Sequence, residues 1–182
     1  MRADAQANRD RILAAAEAVF SEAGEAGSTE EIARRAGVGI GTVFRHFPTK
    51  QELIEATVVR HFDELTSRAR ALSSAHPGAA LRELIEVMVG TGSTKILLLG
   101  LLNDAGAGGV PELAVQASQR LRRAVGALLR RAQKAGTIRP DVSVDEVFLL
   151  VRGLALASAQ RPAKNATQRK ALDIVLAGLA PG

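Results

Sequence analysis

Ser28-Thr29-Glu30-Glu31-Ile32-Ala33-Arg34-Arg35-Ala36-Gly37-Val38-Gly39-Ile40-Gly41-Thr42-Val43-Phe44-Arg45-His46-Phe47-Pro48-Thr49-Lys50 reads as two short helices joined by a tight glycine turn, the format of a helix-turn-helix. Ser28 with Glu31 three residues on is a capping box, so a helix is predicted to begin there. Ile32, Ala33 and Ala36 give that helix an apolar stripe, and Gly37 stops it with a residue that tolerates positive φ. Val38 tucks under the turn, and a second short helix is predicted from Gly39 or Ile40. Val43 and Phe47, one helical turn apart, face inward, which leaves Gly41, Thr42 and Arg45 on the solvent side. Pro48 ends the segment, because the residue before a proline is pushed out of helical geometry.

The outward face is small at its N-terminal end and cationic at its C-terminal end, a shape that suits a DNA major groove. Glycine lets backbone approach closely, Thr42 can meet a base or a thymine methyl, and Arg45 can make paired contacts to guanine or phosphate. Whether Ile40 meets DNA or the core stays open at this level. Thr49 with Glu52 caps the next helix and places Lys50 where a helix N-terminus already favours phosphate.

These residues, STEEIARRA followed by GVGIGTVFRHFPTKQEL, resemble the signature of the TetR/AcrR family of bacterial transcription regulators. The resemblance implies a DNA-binding head, a helical effector-binding body and a homodimer on a palindromic operator. It places Thr29, Thr42, Phe44, His46 and Lys50 at DNA-contacting positions, beside Gly41 and Arg45. Two positions depart from the family's pattern. Phe44 stands where a tyrosine is common, so a hydroxyl-to-phosphate bond is missing, and Gly39-Ile40 replaces a common polar pair.

The totals are consistent with this. A chain of 182 residues supports one well-buried core plus a small appended unit. With no cysteine there is no disulfide framework, thiolate metal site or cysteine nucleophile. The start has no apolar signal core, and the longest apolar run, residues 96–102, is far short of the roughly 20 residues that span a bilayer. A soluble, cytoplasmic protein is expected. The net charge of +5 does not by itself argue for DNA, since basic and acidic side chains balance over residues 1–50. The excess lies further along, at Arg120, Arg122, Arg123, Arg130, Arg131 and Lys134, and such a run usually marks a solvated helix face.

Outward from the quoted stretch, helical periodicity predicts an all-α chain of about nine helices, with a head at 1–52 and a ligand-binding and dimerisation body at 53–182. A first helix is expected over 8–23, where Arg9 and Arg11 either touch phosphates or simply solubilise the terminus. A long helix from Lys50 to about Ser73 passes from head to body with no linker. Helices are then expected over 79–89, broken by Gly90-Thr91-Gly92, and over 94–103; a loop fills 104–111, and another helix follows to about Ala135, closed by Gly136. The connection Gly136-Thr137-Ile138-Arg139-Pro140-Asp141 is again similar to the family's. Ser143 with Glu146 caps a helix to about Gln160, and a last helix covers 167–179.

The last two helices carry more apolar surface than a small body covers, which predicts a two-fold dimer. Val144, Val147, Phe148, Val151, Leu154 and Ala155, with Leu172, Val175, Leu176 and Leu179, are the expected interface. Such a dimer places two recognition helices about 34–36 Å apart, one turn of DNA. No catalytic constellation and no metal-ligand spacing is present, and no cofactor is expected, so the chain is not expected to be an enzyme. The body is expected to hold a small apolar effector among Phe62, Met88, Leu98 and Leu102, with Asn103, Gln116 and Arg120 as polar anchors. The alternative is a helical binding or scaffold module with a vestigial head and no operator, favoured by the apolar Gly39, Ile40 and Phe44.

Overall fold

The computed structural model describes residues 2–104, 111–160 and 165–181; the side chains of 2–3, 25, 93–104, 159–160 and 165 are outside the description. Its α-helices are α1 (Arg2–Ala23), α2 (Thr29–Ala36), α3 (Ile40–His46), α4 (Lys50–Ala71), α5 (Pro77–Asp104), α6 (Glu112–Lys134), α7 (Val144–Gln160) and α8 (Asn165–Gly178). Single 3-10 turns follow α1 and α4, at Gly24–Ala26 and Leu72–Ser74. The described chain is all-α. No described helix is long and apolar enough to cross a membrane.

By packing, the chain divides into two compact units, residues 1–61 with 94–117 and residues 62–93 with 118–182. In the first, α2 packs on both α1 and α3, and α1 also touches α3. The side chains expected to build this core do so: Phe20, Ile32, Val43 and Leu53 have no exposed surface, and Phe47 almost none. His61 of α4 is buried there too, its Nδ1 3.1 Å from Oε1 of Glu17 on α1.

The second unit has a core of Phe62, Leu81, Leu84, Met88, Leu121, Val125 and neighbouring aliphatic groups. Its α6 ends as the sequence predicts. Gly136 adopts φ +68°, its N–H meets the Gln133 carbonyl at 3.0 Å, and the Thr137 N–H reaches the Ala132 carbonyl at 2.9 Å. That pair of bonds is a Schellman motif, which a left-handed glycine permits. The following segment is held by Gln133, whose Nε2 donates to the Val142 carbonyl at 2.8 Å.

The structure changes three expectations about elements. The first helix begins at Arg2 rather than Asn8. The expected helices over 79–89 and 94–103 are one, α5, with Gly90-Thr91-Gly92 inside it. Gly92 is no helix breaker: a Cβ there would lie 2.6 Å from Cβ of Ala155, so the missing side chain lets α5 and α7 approach closely. Thr91 fits too, by returning its hydroxyl to the Val87 carbonyl at 2.9 Å. The loop expected over 104–111 falls mostly outside the described residues.

The third change concerns the interface expected on the last two helices. Val147, Val151 and Ala155 of α7, and Leu172, Leu176 and Leu179 of α8, are buried within the chain itself. Val144, Phe148, Leu154 and Val175 are half-buried. The apolar side chains that α7 and α8 turn outward are instead Leu149 (70% exposed), Ile174 (65%), Leu156 and Leu150. Two apolar faces on one helix fix no direction by periodicity alone. The small-residue contact of Ala155 with Gly92 selects which one turns inward.

Candidate nucleic-acid interface

The site is built by the ends of three helices. Ser28 stands extended before α2, and its hydroxyl accepts the Glu31 N–H at 3.1 Å. The reciprocal half of the expected capping box is absent, because the Glu31 carboxylate bonds Arg34 (2.7 and 2.6 Å) and Arg35 (2.6 Å) instead. Arg35 also makes a two-pronged pair with Glu22 of α1, at 2.8 and 2.7 Å, and so clasps α2 to α1. These bonds hold the Glu31 carboxyl down to about 2 and lower that of Glu22. Both arginines are thereby committed to protein carboxylates.

Gly37 then ends α2 in the left-handed conformation, φ +65°. Its N–H reaches the Arg34 carbonyl at 3.2 Å, while that of Val38 reaches Ala33 at 3.1 Å, a second Schellman motif. Gly39 is extended and opens α3 without any side-chain cap; its carbonyl accepts from Thr42 at 2.8 Å. α3 ends where Pro48 requires, with Phe47 outside helical geometry. Thr49 caps α4, its hydroxyl oxygen accepting the Glu52 N–H at 3.1 Å.

The expected faces of α3 are observed. Val43 and Phe47 point into the core, while Gly41, Phe44 and Arg45 are exposed and Thr42 and His46 half-exposed. A Cβ built on Gly41 would meet nothing within 4 Å, so the surface there is open. Arg45 has no partner among the described residues. His46 lies against Phe47, ring centres 6.2 Å apart. Lys50, in the first turn of α4, holds its ammonium 5.8 Å from the Phe20 ring centre. Thr29, in the first turn of α2, is half-exposed, and its hydroxyl donates to Glu30 at 3.4 Å.

Two features escape the sequence reading. Arg9 of α1 stacks its guanidinium 5.2 Å from the Phe47 ring centre, a cation–π contact that only the folded helix crossing reveals. Ile40 does not pack in the core but is 38% exposed, one turn before Phe44, itself 45% exposed. Of the expected effector-site residues, Phe62 and Met88 are buried in the second unit. Leu98, Leu102 and Asn103 lie outside the described side chains. Gln116 is exposed and bonds Glu112 at 2.9 Å, so it is no polar anchor of an enclosed site. Arg120 is spent on Asp63, at 2.8 Å.

A short helix presented outward by a glycine turn, with its inner face locked in a three-helix core, defines a helix-turn-helix DNA-binding regulator of transcription. Comparison with known proteins agrees. Residues 12–57 match the family described as bacterial regulatory proteins, tetR family, and residues 76–181 match the SbtR-like transcriptional regulator C-terminal domain. A TetR transcriptional regulator from Streptomyces coelicolor is 37% identical, with 95% of this chain and 98% of that one covered and a TM-score of 0.82. One from Mycobacterium vanbaalenii is 34% identical, with 99% of both chains covered and the same TM-score. An HTH-type transcriptional regulator of Staphylococcus aureus (strain USA300) is 42% identical over 64 residues, so the chain spans about a third (35%) of the length of that curated relative. The chain belongs to the TetR family. It is a DNA-binding transcription regulator and not an enzyme.

Proposed function

We propose that the chain acts as a homodimer on a palindromic operator, as a repressor whose occupancy a small apolar effector relieves. The proposed division of labour is a DNA-binding head over 1–52 and an effector-binding and dimerising body over 53–182. Gly41, Thr42 and Arg45 enter the major groove with Phe44 beside them, and Thr29, His46 and Lys50 meet phosphates. The observation that carries this reading is the outward α3 face: an arginine without a partner among the described residues, next to a glycine with open space. Arg34 and Arg35, close by in sequence, are bound to carboxylates, so Arg45 is the α3 cation that remains for a base edge. Such a protein works where DNA is, hence in the cytoplasm.

Homodimerisation is supported by the outward apolar side chains Leu149, Leu150, Leu156 and Ile174, with Gly153 open among them. The effector rests on less: Phe62 and Met88 are buried apolar groups of the second unit, and α4 runs unbroken from Lys50 to Ala71. An effector acts only through its differential affinity for DNA-competent and incompetent states. Coupling of about 1–3 kcal/mol changes operator occupancy roughly 5–150-fold.

Arg45→Ala tests the reading. Against the duplex that the wild-type protein enriches from random sequence, the variant is expected to lose about 1–3 kcal/mol of binding, with little change on a scrambled duplex. Equal affinity of variant and wild type for the enriched duplex contradicts it. The scaffold alternative draws on the exposed Ile40 and Phe44, and it predicts no enriched duplex at all.

A further inference from the structure

Ile40 and Phe44 sit one turn apart on the same edge of α3, 38% and 45% exposed, beside the open surface at Gly41. Neither side chain carries a hydrogen-bond donor or acceptor. Exposing two large apolar groups on a seven-residue helix is unfavourable in water, and Val43 and Phe47 already supply that helix's core contact. The pair therefore belongs to whatever covers the outer face of α3.

Arg45 is exposed on the same helix and Lys50 opens the next, so the exposed charge of this short segment is cationic, which favours a polyanion over an apolar protein partner. In the major groove the bases offer one methyl group, the C5 methyl of thymine; apart from the small C5–H of cytosine, the remaining edge positions are hydrogen-bond donors or acceptors. Polar edges set against Ile40 or Phe44 would lose water without gaining a partner, which selects against them.

We infer that Ile40 and Phe44 are specificity-determining residues that read thymine methyl groups, so that each operator half carries thymine opposite this edge of α3. The inference rests on the DNA-reading role proposed above and adds the base class that the apolar edge recognises. It also gives the two departures from the family's polar pattern, Ile40 and Phe44, a use. Where a polar pair and a tyrosine hydroxyl would bond, this chain makes van der Waals and hydrophobic contact.

The test replaces thymine by deoxyuridine, one position at a time, in the duplex that the full-length wild-type protein enriches from a random pool. That exchange deletes the methyl group and leaves base pairing unchanged. At one or more positions in each half, wild-type affinity is expected to fall about fourfold, the worth of one buried methyl group. The double variant Ile40→Ala, Phe44→Ala is expected to bind thymine and uracil duplexes alike. Its melting temperature should stay near that of the wild type, because both side chains are exposed. Uniform wild-type affinity across all replacements, or a double variant that still discriminates, overturns this inference alone. A random pool from which nothing is enriched overturns the regulator reading and this inference with it.

Discussion

Arg35 and Arg45 are chemically identical, yet the fold uses them in opposite ways. Arg35 is paired with Glu22 and Glu31 and ties α2 to α1, whereas Arg45 points to solvent from α3. The sequence shows the helical spacing of Glu31 and Arg35, but not the partner on α1, which depends on how the two helices cross. The clasp has a pH signature. A carboxyl held below its ordinary 4.5 in the folded protein contributes stability that is complete above that value and is lost as pH falls toward its folded value, about 2 for Glu31. Glu17 and Glu22 shift in the same direction. Between pH 4.5 and 2 the wild type should therefore lose stability more steeply than Glu31→Gln in urea unfolding. Parallel pH profiles would show that the clasp contributes nothing.

At the scale of elements, the sequence is legible where a local rule decides and silent where tertiary contact does. Ser28, Gly37, Thr49 and Gly136 mark helix ends by chemistry internal to a few residues, and each end lies where it was expected. Gly90 and Gly92 look equally like breakers, and both lie inside α5. Their environments differ sharply. Gly92 faces Ala155 at a distance where no Cβ fits, while a Cβ on Gly90 meets nothing within 4 Å. Gly92→Ala should destabilise by about 1–3 kcal/mol from overpacking, partly offset by helix propensity. Gly90→Ala should be neutral or stabilising by up to about 1 kcal/mol. Thermal melting separates them, and equal stabilisation by both would remove the close approach of α5 and α7. The same contact explains why the inward face of α7 was not legible: a valine-rich face and a leucine-rich face compete, and the close approach to a glycine on another helix goes with the first.

At the scale of the whole molecule, the proposed assembly depends on which apolar face is left outside. Val151 is buried within the chain, so Val151→Glu should unfold the protein instead of merely separating two copies. Leu149 and Ile174 are mostly exposed, and the double variant Leu149→Glu, Ile174→Glu should keep its helicity and sediment as a monomer. The candidate DNA-contacting residues were legible because one local stretch carries most of them. The proposed dimer face was not, because the outward apolar side chains are defined only after the core has taken its share. Whether two copies of the α3 face read one duplex is tested by selection from random duplexes with the wild-type and the Leu149→Glu, Ile174→Glu proteins side by side. The wild type should enrich an inverted repeat whose half-site centres lie about one helical turn, or a multiple of it, apart, and the variant should enrich at most a weak single half. An asymmetric wild-type sequence, or the same inverted repeat enriched equally by both proteins, would show that the duplex is not read by two copies joined through Leu149 and Ile174.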